Sequence, residues 1–158
     1  MKIIECPRDA MQGIEKFIPT ETKINYINKL LKIGFDTIDF GSFVSEKAVP
    51  QMRDTSKVID ALDLNETKSK LLAIIANSRG ANKACEYDKI EYLGYPLSIS
   101  NEFQLRNTGT TCVEALKEVS RIKEIAEKKD KNLVVYLSMA FGNPYKEHYS
   151  SDKVEKFC

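Results

Sequence analysis

Short apolar runs recur along the chain at Ile3-Ile4 and at residues 35–40, 71–76, 90–97 and 133–137, and helical spacing or helix-start signals fill the gaps between them. A short apolar run bounded by turn residues reads as a strand buried on both faces, the kind found in parallel sheets with helical crossovers. The first run predicts a strand over about residues 2–6, followed by a loop. Thr20 then offers an N-cap after Pro19, and Ile24, Ile27, Leu30 and Leu31 share one helix face before Gly34, placed as a C′ glycine. Val58, Ile59 and Leu62 mark a short second helix, and the polar Asn77-Ser78-Arg79-Gly80 turn leads into a helix through Ala84. Thr111 and Glu114 have capping-box spacing, so a helix starts there with Val113, Leu116, Val119, Ile122 and Ala126 as its apolar face. The Lys128-Lys129-Asp130-Lys131 run reads as its solvated end.

This alternation predicts an α/β protein of parallel βα units with right-handed crossovers. Two closures fit it equally. One is a small doubly wound sheet; the other is the first five strands of a TIM (β/α)8 barrel, which normally needs about 250 residues. The length, 158 residues, suits one domain over 1–158 with no internal linker. With 24 basic and 23 acidic residues there is no bulk charge to attract nucleic acid or an anionic membrane. The longest apolar stretch, six residues at 71–76, is far short of the roughly 20 that span a bilayer, so a soluble chain is expected. Lys2 and Glu5 interrupt the amino end before a secretory apolar core can form. Cys6, Cys85, Cys112 and Cys158 include no C-x-x-C pair, which argues against a zinc knuckle or disulfide framework and for a reducing cytoplasm.

In either closure a ligand site lies at the carboxyl ends of the strands, where polar residues are dense. Cys6-Pro7-Arg8-Asp9-Ala10-Met11-Gln12 follows the first run, Asp39 ends the second and Ser42 follows it, and Asn77, Ser98, Ser100 and Ser138 follow the others. Adjacent Arg8 and Asp9 offer a fixed cation beside an oxygen ligand for a hard divalent metal, with Asp39 as a second carboxylate. A surface turn initiated by Pro7 would give the same pair of residues without a site.

The wording of these segments is more specific than their spacing. Pro7 through Gln12 resembles the P-R-D-G-x-Q segment of the hydroxymethylglutaryl-CoA lyases, and Ser42-Phe43-Val44-Ser45-Glu46-Lys47-Ala48-Val49-Pro50-Gln51-Met52 is similar to their S-F-V-S-P-K-x-V-P-Q-M stretch in all but one fixed place. Asn77-Ser78-Arg79-Gly80 resembles the family's N-x-x-G turn, residues 100–107 its S-E-x-F-x-x-K-N segment, and residues 136–145 its Y-x-S-x-x-x-G-C-P-Y. The matches occur in family order along the chain.

That resemblance implies a TIM barrel and the magnesium- or manganese-dependent cleavage of 3-hydroxy-3-methylglutaryl-CoA to acetyl-CoA and acetoacetate. Carried over by position, Asp9 is a metal ligand and Arg8 the cation that stabilises an enolate oxygen. Asp39 falls where the family carries a catalytic glutamate. Gln12, Ser42 and Ser100 fall at substrate-binding positions together with Arg8. An acyl-CoA is the implied partner.

Departures accompany the matches. Asp39 is a methylene shorter than glutamate, Cys6 and Ala10 stand where the family commonly has glycine, and Asn143 stands where it has cysteine. The resemblance covers only about the first half of the family's barrel, and its later H-x-H metal pair has no counterpart. The only histidine, His148, lies in a polar stretch and reads as a solvent-exposed loop residue. A half barrel would leave two edge strands to be covered by a missing carboxyl-terminal half or by a second copy in a homodimer. The alternatives carried forward are a non-catalytic half barrel that binds a partner chain or an acyl-CoA, and a related acyl-CoA carboligase or carboxyltransferase.

Overall fold

The computed structural model describes residues 1–158. Five strands, β1 (Ile4–Glu5), β2 (Thr37–Ser42), β3 (Lys70–Ile74), β4 (Ile90–Ser98) and β5 (Asn132–Ser138), lie side by side in chain order, every pair parallel. That order chooses between the two closures. A doubly wound sheet reverses its strand order at a switch point, whereas right-handed crossovers that always advance one strand place every helix on the same face and curl the sheet. The result is a half barrel.

Helices α1 (Pro7–Gln12), α2 (Thr20–Leu31), α3 (Thr55–Asp60), α4 (Ser78–Ala84), α5 (Asn101–Thr108), α6 (Cys112–Lys128) and α7 (Ser151–Glu155) complete the chain. One continuous core joins the outer face of the sheet to this layer, with Ile38 and Phe40, Leu71 and Ala73, and Leu93, Tyr95 and Leu97 packing on Ile27, Ile59, Ala81 and Ile122. Leu93, Tyr95 and Leu97 face that core while Pro96 between them faces a cavity on the concave side, the period-two alternation of a strand.

The capping box at Thr111 and Glu114 forms as its spacing predicts, and starts α6. Val113 nevertheless lies outside that helix's packed stripe at 64% exposure, because the buried arc runs through Cys112, Ala115, Ile122 and Ala126. Gly34 adopts a φ of +90°, which only glycine takes without strain, in the turn after α2. Thr20 is not the cap expected of it. The Pro19 carbonyl accepts the Thr22 and Lys23 amides, and the Thr20 hydroxyl instead donates to Asp54 at 2.8 Å. Lys23, 2% exposed, donates to the same carboxylate at 2.6 Å and to the Gln51 carbonyl, so a buried polar clamp ties α2 to the segment before α3.

Candidate active site

The stretch after β1, expected as a loop, is helical. Pro7 occupies the first helical turn of α1, where its missing N–H costs nothing and its fixed φ favours the helix. Positions three and four apart on a helix are neighbours, so α1 gathers Arg8, Asp9 and Gln12. Arg8 Nη1 donates to Asp9 at 3.1 Å and to Gln12 Oε1 at 2.9 Å, while Gln12 Nε2 donates to Asp9 at 2.9 Å.

The other side of the guanidinium turns to β2. Arg8 Nε lies 3.1 and 3.0 Å from the two Asp39 oxygens, and Nη2 donates to Oδ2 at 2.5 Å. Of the five guanidinium N–H groups, these contacts occupy four, leaving one on Nη2 free. Asp39 is 1% exposed and the Arg8 side chain 12%, so the pair is largely out of water. Burial pushes the Asp39 carboxyl above its ordinary range, against the pull of Arg8 toward the ionised form.

A bulge in β2 decides which residues accompany Asp39. Strict alternation would put Asp39 and Ser42, three positions apart, on opposite faces of the sheet. In the pairing with β3, Asp39 lies beside Leu72 and Gly41 beside Ala73, so Phe40 is the extra residue. Phe40 packs in the core, and a Cβ on Gly41 would lie 2.6 Å from Thr55 Cγ2 on the helix side. Asp39 and Ser42 therefore both reach the concave side.

There they line a cavity of about 610 Å³ with Arg8, Asp9 and Gln12, at the carboxyl ends of the strands. Five of the six residues picked out in the sequence thus meet in one place. Ser100, the sixth, does not line it. It is 1% exposed at the N-cap of α5, where its hydroxyl accepts the Phe103 amide at 3.0 Å and donates to the Glu147 carboxylate. Asn143 organises that same loop: its side-chain oxygen accepts the Tyr145 and Glu147 amides, and its nitrogen donates to the Glu147 carbonyl. His148 is exposed, as expected.

Tyr136 and Cys6 also line the cavity, and the sequence did not single out either as a site residue. Tyr136 was legible as an alternation partner of Ser138 on β5. Burial and the Asp39 charge push its phenol up, and the same two causes raise the Cys6 thiol.

A divalent cation prefers several fixed oxygens or nitrogens around it. No three His, Cys, Asp or Glu side chains in the chain come together as such a set. Asp39 has both oxygens on Arg8, which leaves Asp9, 63% exposed, as the one open carboxylate at the cavity. These residues do not by themselves fit a closed metal site.

A lyase of Bacillus subtilis named hydroxymethylglutaryl-CoA lyase is 31% identical over 148 residues, covering 94% of this chain and 49% of its own. The solved structure of a Bacillus subtilis HMG-CoA lyase superposes with a TM-score of 0.92 at 30% identity, over 99% of this chain and 52% of that one. The chain corresponds to the amino-terminal half of a hydroxymethylglutaryl-CoA lyase barrel. An Acinetobacter baumannii HMG-CoA lyase, solved in complex with coenzyme A and 3-methylmalate, matches over 98% of this chain and 50% of its own with a TM-score of 0.90 and 30% identity. The chain spans about half the length of the curated lyases it matches. Some of these are named cytoplasmic, as in rat, and others mitochondrial, as in mouse. No family model matches the sequence, and no helix is long and apolar enough to cross a membrane.

Proposed function

We propose that residues 1–158 form one partial barrel domain, the amino-terminal half of a cytoplasmic lyase that cleaves 3-hydroxy-3-methylglutaryl-CoA to acetyl-CoA and acetoacetate. The observation that carries this reading is the Arg8–Asp39 pair, which shares one cavity with Asp9, Gln12 and Ser42 at the carboxyl ends of parallel strands. Cleavage between the α and β carbons of such a thioester leaves negative charge on the thioester oxygen as an enolate. A cation already oriented before the bond breaks stabilises that oxygen without reorganisation. Arg8 fits this task because Asp39, Asp9 and Gln12 fix its guanidinium and leave one N–H free to donate.

Asp39, with both oxygens on Arg8, acts in this reading by positioning the guanidinium. Gln12 and Ser42 contact substrate, and Ser100 supports the cavity wall through α5. The reaction class uses magnesium or manganese. Asp9 is the one carboxylate open toward such an ion, and its remaining ligands would come from outside these residues. The other half of the barrel, or a second copy of this chain, is the macromolecular partner that would cover the β1 and β5 edges.

The test is complementation. The chain is mixed with the carboxyl-terminal half of the Bacillus subtilis lyase, and acetoacetate release from 3-hydroxy-3-methylglutaryl-CoA is followed with magnesium or manganese present. Release that is lost on Arg8→Met supports the reading. A folded complex without release, under conditions where the Bacillus amino-terminal half restores it, overturns it. That result would favour the second reading, a non-catalytic half barrel that binds acyl-CoA, whose specific support is the closed, mutually neutralising Arg8–Asp39 pair.

A further inference from the structure

Beside the Arg8 cavity lies a second concavity of about 370 Å³, and the two share Ser42, Val44, Ser45 and Asn77 along their common edge. Four cations line the second one, Lys47, Arg53, Arg79 and Lys83, against one carboxylate, Glu46. That local excess stands in a chain whose formal net charge is +1. None of the four is in an ion pair, although Arg8, Lys23, Lys70, Arg106, Arg121 and Lys123 all find carboxylates.

Gathering unpaired like charges around one concavity raises its potential, and a focused potential of one sign concentrates the opposite ion. Two of the cations are braced without being neutralised. The Arg53 guanidinium lies 4.0 Å from the centre of the Phe17 ring, and Lys83 Nζ lies 5.9 Å from that of Phe43. Such contacts orient the side chain and leave its in-plane N–H donors available. The forked donors of Arg53 and Arg79 match the oxygens of a phosphate in spacing and in charge, and the Ser45 and Ser56 hydroxyls on the lining add donors that suit the same group.

We propose that this second cavity binds a phosphate group. The chemistry has two sources: the phosphorylated end of an acyl-CoA whose acyl end lies in the adjoining Arg8 cavity, or a separate phosphate. The first source rests on the acyl-CoA reading above; the phosphate site itself does not.

The experiment titrates the 158-residue chain with inorganic phosphate and with coenzyme A by calorimetry at low ionic strength. It is repeated on Arg79→Glu/Lys83→Glu, and on Lys128→Glu/Lys129→Glu as a control remote from the cavity. Both pairs are exposed on helices, and circular dichroism checks that each variant is folded. The expected result is phosphate binding that weakens more than tenfold in the first variant, is unchanged in the control, and falls as salt is added. Failure of phosphate to bind at millimolar concentration, or equal binding by the first variant, overturns the proposal. Coenzyme A that displaces phosphate and is itself weakened by the variant identifies the first source. Phosphate binding without displacement by coenzyme A identifies the second. Coenzyme A binding that the variant leaves intact, with no phosphate binding, overturns this site and leaves the acyl-CoA reading standing.

Discussion

Arg8 closes on Asp39 across 31 positions of sequence, and the Asp39 carboxylate it meets is 1% exposed. A buried ion pair contributes little net stability against an apolar replacement, but removing one partner strands the other charge. Arg8→Met or Asp39→Leu alone is expected to lower the unfolding free energy by about 3 kcal/mol. The double variant should recover much of that loss, since neither charge is then left unpaired. Urea denaturation of the four proteins gives the coupling; additive losses would mean that the two side chains do not act as a pair.

Three glycines should respond to alanine in a fixed order. At Gly80 the added Cβ would lie 2.6 Å from the Phe43 carbonyl oxygen, a backbone atom that cannot swing away. This outweighs the helix-propensity gain of about 1 kcal/mol that alanine brings, so Gly80→Ala destabilises. Gly94→Ala would press on the Ile74 and Leu72 methyls at 2.6 and 2.9 Å, which can rotate, and should cost about 1–3 kcal/mol. Gly13→Ala meets nothing within 4 Å at a right-handed φ and should be neutral or slightly stabilising. Thermal melts rank the three.

Stability should fall at acid pH partly through Glu118. Burial pulls its carboxyl up, but the Ser78 amide and hydroxyl, at 2.6 and 2.7 Å, and Arg121 more than offset that and hold it below the ordinary glutamate value. A depressed native pKa contributes stability that is present above the unfolded value and is lost as pH drops through the native one. Glu118→Gln should therefore be less stable than wild type at neutral pH, with the gap closing as pH falls below the ordinary glutamate range. A gap constant with pH would remove Glu118 as the titrating group.

Asn143 fastens the loop after β5 through three hydrogen bonds, and Glu147 carries that loop to Ser100 and to the Glu102 amide. Asn143→Ala should loosen residues 143–149 while leaving the sheet intact. Amide exchange at Tyr145 and Glu147 should quicken at least tenfold, with the amides of β3 unchanged.

Much of this was legible in the chain itself. The runs at residues 71–76 and 90–97 and the Thr111–Glu114 spacing fall where β3, β4 and the start of α6 occur, because hydrophobic period and capping chemistry are local properties. The resemblance of residues 7–12 and 42–52 to lyase segments brought forward five residues that line one cavity. Ends of elements were less well read. The second strand, expected over 35–40, lies at Thr37–Ser42, since the Asp36 amide is taken by the Ile3 carbonyl as the chain enters the sheet.

What local pattern left open was decided by contacts between distant residues. The same alternation of strands and helices suits a doubly wound sheet or a barrel, and only the strand order, set by how each crossover packs on its neighbour, selects the half barrel. The bulge at Phe40 appears only in the pairing of β2 with β3, and it is what turns both Asp39 and Ser42 to the concave side. Ser100 reads like its neighbours in the motif, yet Glu147, 47 positions away, draws its hydroxyl off the cavity. Sequence determined which groups were available; the tertiary structure decided which of them face one another, because side-chain direction depends on register and packing that no single segment contains.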